Sequence, residues 1–436
     1  MNKEQRREML EQILSDESNI ETRGVSLRYK GTTQKADVYK IPLAYLIYNK
    51  YNGRISSRVK AYERKNHVLD GMNPTPEDTK VIEDYLWNSK PDRNKRTMED
   101  LVENGQLRYG IVTADGVIID GNRRASLLNR AYREREKHGW TTTDVEKCRY
   151  FNAIILPQNA DERDLQQLET MYQMGEDDKL DYNPIEKYLK CEDLKRVGFD
   201  NDEIAKMMSV KKSDIDKWLA TLPYMKKYLE ILGYDEMYPM LDGLEDQFLT
   251  LSSAMKDWRA HGKITKNCDW EYTDTDIDDL ELICYDYMRF DQEGKEFRRI
   301  CKTGKEGAIF QSEKLWEEFK DTHEDTINEL DEEKDVDEEI SEHPDLDVIE
   351  VLRARDKKWK NQVGDSFTRN LKHNVSRLND KLEDIRPREA LQKALGLLEN
   401  LDPNQDGFLN DPQVEGLVNE ISSITWNFKK KLKKRS

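Results

Sequence analysis

The sequence predicts an α+β fold in its first third and an almost wholly helical remainder. Three observations carry that division. Between 37 and 160, short runs rich in Val, Ile and Tyr alternate with helical patterns and end in turn residues. From about 161 the strand signals fade, and Lys, Glu, Leu and Met recur at helical spacing. The length, 436 residues, exceeds one ordinary core and suits roughly two to four domains.

Taken in order, MNKEQRREMLEQIL opens the chain as a charged amphipathic helix, and 1–36 is expected to be a helical extension. The α+β domain follows over 37–160. Its candidate strands are 37–43, 107–114, 116–120 and 151–156, with a helix over 76–89. A helical domain is expected over 161–240, with elements at 164–174, 184–198 and two short helices up to about 222. A second helical domain spans 241–320 and is broken by the loop WRAHGKITKNCDW. The stretch 321–350 holds 15 Asp or Glu among its 30 residues and one Lys, so a solvated acidic linker is expected there. The last unit, 351–436, reads as a helical module ending in a basic tail, KKKLKKR at 429–435.

Composition narrows the function classes. Lys plus Arg number 71 against 88 Asp plus Glu, a formal charge of −17, and the mean hydropathy is −0.94. Eight Trp, 20 Tyr and 10 Phe are too many for a disordered chain. No run approaches the ~20 apolar residues of a membrane span, and the amino terminus lacks the apolar centre of a signal peptide. The five cysteines (148, 191, 268, 284 and 301) are scattered and never form C-x-x-C, so a reducing cytoplasm is the expected location. Net acidity argues against coating nucleic acid by charge alone, and any DNA contact is expected from a local surface.

The segment ADGVIIDGNRRASLLNRAYRE, 114–134, carries the most chemistry. A turn leads into the apolar strand GVIID, Gly121 ends it, and Ala125, Leu127, Leu128 and Ala131 follow at helical spacing. A strand, a glycine turn and a helix amino end together present unpaired N–H groups and a positive dipole end. Arg123 and Arg124 add two guanidinium forks, which makes an anion site. The alternative is a solvated Arg pair matched by nearby carboxylates.

This order of features resembles the ParB/sulfiredoxin-like superfamily, and specifically ParB-like proteins, whose signature is G-E-R-R between a strand and a helix. Here it reads Gly121-Asn122-Arg123-Arg124. KIPLAYLIYNKYNGRISSR (40–58) resembles the first box, with Asn52-Gly53-Arg54 at its turn. MEDLVENGQLRYGIVTADG (98–116) resembles the helix, Gly-Gln and strand element. LDYNPIEKYLKCEDLKRVG (180–198), with Asn183-Pro184-Ile185-Glu186, resembles the opening of the helical domain. The matches span roughly 40–230. The resemblance implies a nucleoside triphosphate, CTP or ATP, accompanied by Mg²⁺, with Gly121, Asn122, Arg123 and Arg124 at the phosphates. It also implies that Gly105, Gln106 and Glu169 approach the nucleotide, and that the protein is a homodimer. Asn122 replaces the family's Glu. The E-N-x-x-R segment has only a partial counterpart in Glu169-Thr170, followed by the insertion MYQMGEDDK. With no Cys in the loop, sulfiredoxin-type peroxide repair is excluded.

FDNDEIAKMMSVKKSDIDKWLATL, 199–222, has helix-turn-helix spacing. Asp200 or Asn201 caps the first helix, Ile204, Ala205 and Met208 supply its apolar face, and Ile215, Trp218 and Leu219 pack the second. Lys211, Lys212, Ser213 and Lys217 are the candidate DNA contacts, because a recognition helix needs donors near its amino end. Between 200 and 230, however, six Lys meet six Asp or Glu, so the alternative is a helical pair used for protein contact. DPNQDGFLNDPQ, 402–413, resembles a calcium loop, but Gln413 stands where the bidentate Glu belongs, and turn preferences explain the same residues.

The expected function is therefore a nucleotide-responsive DNA-binding protein, holding a triphosphate at Gly121–Arg124 and DNA at the helix-turn-helix, with at most weak CTPase or ATPase activity. Two alternatives stand beside it. One is a nuclease or phosphotransferase of a phage-defence or mobile-element system using the same loop. The other is an adaptor that binds a protein partner, for which the helical carboxy-terminal region is also a candidate. No membrane partner is expected.

Overall fold

The structure is a computed structural model that describes residues 1–174, 184–260, 268–291, 294–302 and 307–433. Asn183, most of the insertion after Met174, the loop 261–267 and the tip of the basic tail lie outside the described residues.

The chain starts with helix α1 (Lys3–Ser15), closed by a capping box in which Asn2 accepts from the Gln5 N–H and Gln5 reaches back to the Asn2 N–H. Strands β1 (Ile20–Tyr29) and β2 (Thr32–Pro42) then form an antiparallel hairpin through the turn Lys30-Gly31, both residues at positive φ. Residues 20–36 thus belong to a β-hairpin where a helical extension was expected. β1 is an edge strand whose polar residues face water, and only Leu27 and Tyr29 of it are buried. The hairpin is extended by β3 (Ile47–Tyr48), α2 (Ser56–Lys65), α3 (Pro76–Asn88), α4 (Pro91–Asn104), β4 (Gly110–Val112), β5 (Val117–Asp120), α5 (Asn122–Arg133), the short α6 (Thr142–Val145) and β6 (Tyr150–Ile155).

The six strands make one mixed sheet in the order β1-β2-β6-β4-β5-β3, with β4–β6 and β3–β5 parallel and the other pairs antiparallel. Successive residues point to opposite faces. Val112, Ile118 and Ile155 pack with Leu86, Met98 and Leu128 of α3, α4 and α5. Ile111, Ile119 and Ile154 pack on Leu168 of α7 (Glu162–Met174), which covers the second face.

Helices α8 (Pro184–Arg196), α9 (Asn201–Met208) and α10 (Lys212–Ile231) form a small unit around Leu194, Phe199, Ile204, Ala205, Met208 and Ile215. It is followed by α11 (Glu245–Arg259), α12 (Asp274–Arg289), α13 (Gly294–Cys301), α14 (Glu313–Asn328), α15 (Val336–Glu342) and the 52-residue α16 (Val348–Glu399). One hydrophobic core runs from Tyr188 and Tyr228 through Trp258, Tyr287 and Phe310 to Trp359, Phe367 and Leu378. The expected boundaries at 240, 320 and 350 therefore do not separate cores. Nor is 321–350 a solvated linker. Val336 and Ile340 are buried, and Glu333 takes both terminal nitrogens of the buried Arg289, at 2.7 and 2.8 Å. An acidic run folds here because a cation from α12 meets it and because apolar residues recur between the carboxylates. Two last helices, α17 (Asp406–Leu409) and α18 (Pro412–Lys433), complete the described chain. Among the described residues no helix is long and apolar enough to cross a membrane.

Candidate functional site

Gly121 joins β5 to α5 with φ +97°, a conformation that side chains resist, and a Cβ there would lie 2.6 Å from the Phe151 ring. Only glycine fits both constraints. The turn aims the first turn of α5 into an open cleft of about 570 Å³. Five guanidinium groups line it: Arg54 from the loop before α2, Arg93 from the first turn of α4, Arg108 from the approach to β4, and Arg123 and Arg124. Asp120 is the one carboxylate among the described lining residues, and Arg124 Nη2 donates to it at 2.9 Å. Arg124 also donates to the carbonyls of Arg108 and Tyr109, so its fork is fixed across the end of β4. Arg123 Nη2 lies 3.4 Å from Thr97 Oγ1. Leu107, which is 80% exposed, Tyr109 and Tyr172 add apolar and aromatic wall.

The sequence-predicted residues divide. Gly121, Asn122, Arg123 and Arg124 all line the cleft, but the Asn122 side chain is turned inward. Its Nδ2 donates to the Ile118 carbonyl at 2.8 Å, its Oδ1 accepts the Asn49 N–H at 2.9 Å, and it is 2% exposed. Gly105 and Gln106 do not line the cleft. Gly105 ends α4 at φ +77°, and Gln106 bridges the Arg108 carbonyl to both main-chain groups of Asn152, each at 2.8 Å. Gln106 thereby fixes the strand that presents Arg108. Glu169 is not at the cleft either: it is buried and bound by Lys190 Nζ at 2.6 Å and Asn49 Nδ2 at 3.3 Å. Burial pushes its carboxyl above the usual glutamate range, and the nearby ammonium opposes that only in part.

Arg54, Arg93 and Arg108 were not among the expected site residues. They come from three separate elements with no common spacing, and only the Asn52-Gly53-Arg54 turn left a local signal.

The loop 49–54 is shared between two hollows. Asn52 and Arg54 line the arginine cleft, whereas Asn49, Lys50 and Tyr51 line a larger cavity of about 900 Å³ beside α1 and α7. That cavity mixes Lys3, Arg7 and Lys50 with Asp70, Asp115, Glu162 and Glu169, so it has no single preferred charge. The arginine cleft does. Two contacts tie the loop and α2 to α8. Lys190 holds Glu169 and Gln166, and, one turn earlier, Glu186 accepts from the Ser57 N–H at 3.0 Å and the Ser56 hydroxyl at 2.5 Å. Glu186 is buried, which raises its pKa, while these donors pull the other way.

In the helix-turn-helix unit, Asp200 caps α9 with Glu203, and Ser209 turns the chain at φ +51°. Lys211, Lys212, Ser213 and Lys217 are exposed at the start of α10. Lys212 pairs with Asp202 at 2.5 Å, and Lys217 lies 3.9 Å from Asp214. In the calcium-like loop, Asp402 and Asp411 accept main-chain N–H groups two residues on, as in ordinary Asx turns, and α17 occupies 406–409.

No protein-family model matches the chain, and no curated protein matches it.

Proposed function

We propose that the chain is a ParB-like nucleotide-responsive DNA-binding protein that holds a nucleoside triphosphate, CTP or ATP, in the arginine cleft. The observation that carries this reading is the convergence of five arginines and a glycine-started helix on one cleft whose described lining residues include a single, already engaged, carboxylate. Such a surface suits several adjacent negative charges, because each guanidinium donates in a fork that matches phosphate oxygens. Tyr109, Tyr172 and Leu107 offer a face for the base. The residues suit a triphosphate better than a protein-held metal ion. Asp120 is occupied by Arg124, and among the described residues no group of three His, Cys, Asp or Glu is placed to hold one. Mg²⁺ would then enter on the phosphates and supply charge neutralisation there. With Asn122 turned inward, no carboxylate among the described lining residues is poised to activate water, so retention is favoured over hydrolysis.

The response would travel through the loop 49–54. Phosphate drawing on Arg54 and the α5 start pulls the Asn122–Asn49–Glu169–Lys190 chain and the Ser56–Glu186 contact, both of which end on α8, the first helix of the DNA-binding unit. A ligand shifts such an equilibrium only by its difference in affinity for the two states. A second reading, an adaptor for a protein partner, draws support from the pairing of Lys212 and Lys217 with carboxylates on the exposed face. Binding of the four ribonucleoside triphosphates, each with and without mixed duplex DNA, tests both. Triphosphate binding that changes duplex affinity supports the first reading. No duplex binding under any condition selects the second.

A further inference from the structure

Arg28 of β1 and Lys206 of α9 line one small open pocket of about 300 Å³, where the sheet meets the helix-turn-helix unit. Both residues are exposed, and among the described residues neither side chain makes a hydrogen bond or an ion pair. Their neighbours differ. Arg196, Lys212, Lys217 and Lys226 of the same unit each lie within 4 Å of a carboxylate. Glu203 is the one carboxylate among the described lining residues of the pocket, and Arg163 Nη2 already holds it, at 3.2 and 3.4 Å. Arg163 also donates to the Gly198 carbonyl at 2.9 Å and lies over the Phe199 ring, 3.8 Å from its centre. Arg163 thus pins α7 to α9. On the sheet side, the Arg28 main-chain N–H donates to the Tyr172 hydroxyl at 3.4 Å. The walls are therefore set before any ligand arrives, and the two cations have no carboxylate to answer them.

We propose that this pocket holds one backbone phosphate of duplex DNA, beside the groove that α10 enters; the inference rests on the DNA-binding reading above. Size and position choose a duplex over a free nucleotide. The pocket is about half the volume of the arginine cleft and offers two cations against five. It ends at Ser209, whose turn at φ +51° leads directly to Lys211 and Lys212 at the start of α10. Phosphate contacts fix the register of a protein on the duplex, and base contacts read the sequence. Arg28 and Lys206 supply the first kind of contact from two separate units of the fold. A strand held between them ties the sheet to the helix-turn-helix. The tie passes Tyr172, which lines both this pocket and the arginine cleft.

The test is binding of a fluorescent mixed-sequence duplex to the full chain over a series of salt concentrations, with and without CTP or ATP. Arg28→Ala with Lys206→Ala should weaken duplex binding at least tenfold at low salt. It should also flatten the salt dependence by about one unit of slope, the share of one phosphate. Thermal unfolding should not change, because both side chains are exposed. Arg28→Lys with Lys206→Arg keeps the charge and should restore the slope. Lys256→Ala with Lys314→Ala removes the same charge from α11 and α14 and should leave the slope as it is. An unchanged slope in the Arg28 and Lys206 double variant, while the intact protein binds duplex, overturns the proposal and leaves the DNA-binding reading standing. An equal loss in the Lys256 and Lys314 variant overturns it in favour of long-range charge. Loss of triphosphate binding with duplex binding intact overturns it in favour of the cleft's own ligand. No duplex binding by the intact protein removes the proposal together with the reading beneath it.

Discussion

The Asn122 side chain accepts the Asn49 main-chain N–H at 2.9 Å while donating to the Ile118 carbonyl at 2.8 Å. The start of α5 and the loop that carries Arg54 are thus one hydrogen-bonded piece. Asn122, which the sequence led us to expect at a phosphate site, is instead a bracket behind the cleft wall, and this changes what its substitution should do.

Asn122→Glu cannot donate to the Ile118 carbonyl, and it puts a charge where 2% of the residue is exposed. Leaving buried polar groups unpaired costs about 1–3 kcal/mol each, more for a charge. The expected result is a loss of at least ~2 kcal/mol in urea unfolding, together with weaker triphosphate binding and no gain in hydrolysis. A stable variant with faster phosphate release would show that the side chain reaches the phosphates.

Arg123→Ala should weaken triphosphate binding, because its guanidinium lines the cleft at the start of α5. At about 1.5–3 kcal/mol for a hydrogen bond to a charged group, the loss is at least about tenfold in Kd. Arg124→Ala should cost binding and some stability together, because it also releases Asp120 and the 108 and 109 carbonyls. Calorimetric titration and denaturant melts on the two variants separate these effects.

Lys190 and Glu169 are both almost fully buried. Removing either partner strands the other charge, for an expected cost of about 3–5 kcal/mol. Glu169→Gln with Lys190→Met should cost far less than the sum of the two single changes. In the proposed function the double variant should also bind triphosphate normally while losing the effect of triphosphate on duplex affinity. Additive single costs in a double-mutant cycle would rule out this coupling.

Glu186 gives a pH dependence with a definite sign. Its folded pKa is raised above the ordinary value of 4.5 by burial, against the pull of Ser56 and Ser57. Between the two values the folded chain holds more protons than the unfolded one, so stability is fullest below 4.5 and falls as pH rises through the folded pKa. Glu169 acts in the same direction. Unfolding free energy measured at closely spaced pH should therefore decline over this interval, and Glu186→Gln should flatten the decline.

If α10 meets DNA, Asp202 competes with phosphate for Lys212. Asp202→Asn should then tighten duplex binding and steepen its salt dependence by roughly one unit of slope for each further phosphate that a freed lysine neutralises. Lys211→Ala with Lys212→Ala should do the reverse. Unchanged binding in both variants would move the DNA-binding surface elsewhere.

Much of this was legible from local pattern. Four of the six strands were marked by Val, Ile and Tyr runs, and Gly121-Asn122-Arg123-Arg124 announced the turn and the helix start. β1 was not, because IETRGVSLRY is mostly polar and its alternation begins only at Val25. Arg93 and Arg108 were invisible for a different reason, since only the folded sheet brings α4 and the β4 approach together. The acidic stretch misled because composition counts Glu333 as one more solvated charge, while its partner Arg289 lies 44 residues away.

The strand at the heart of the sheet is also the last to be made. β6 lies between β2 and β4, hydrogen-bonded to both, and more than a hundred residues separate Pro42 from Ile155. At ordinary synthesis rates that interval lasts on the order of ten seconds, during which the nascent hairpin and the β4–β5 pair each show an open edge. Exposed strand edges are templates for pairing with other chains. A message truncated just upstream of codon 150 would therefore release two adhesive half-sheets, not a smaller version of the domain.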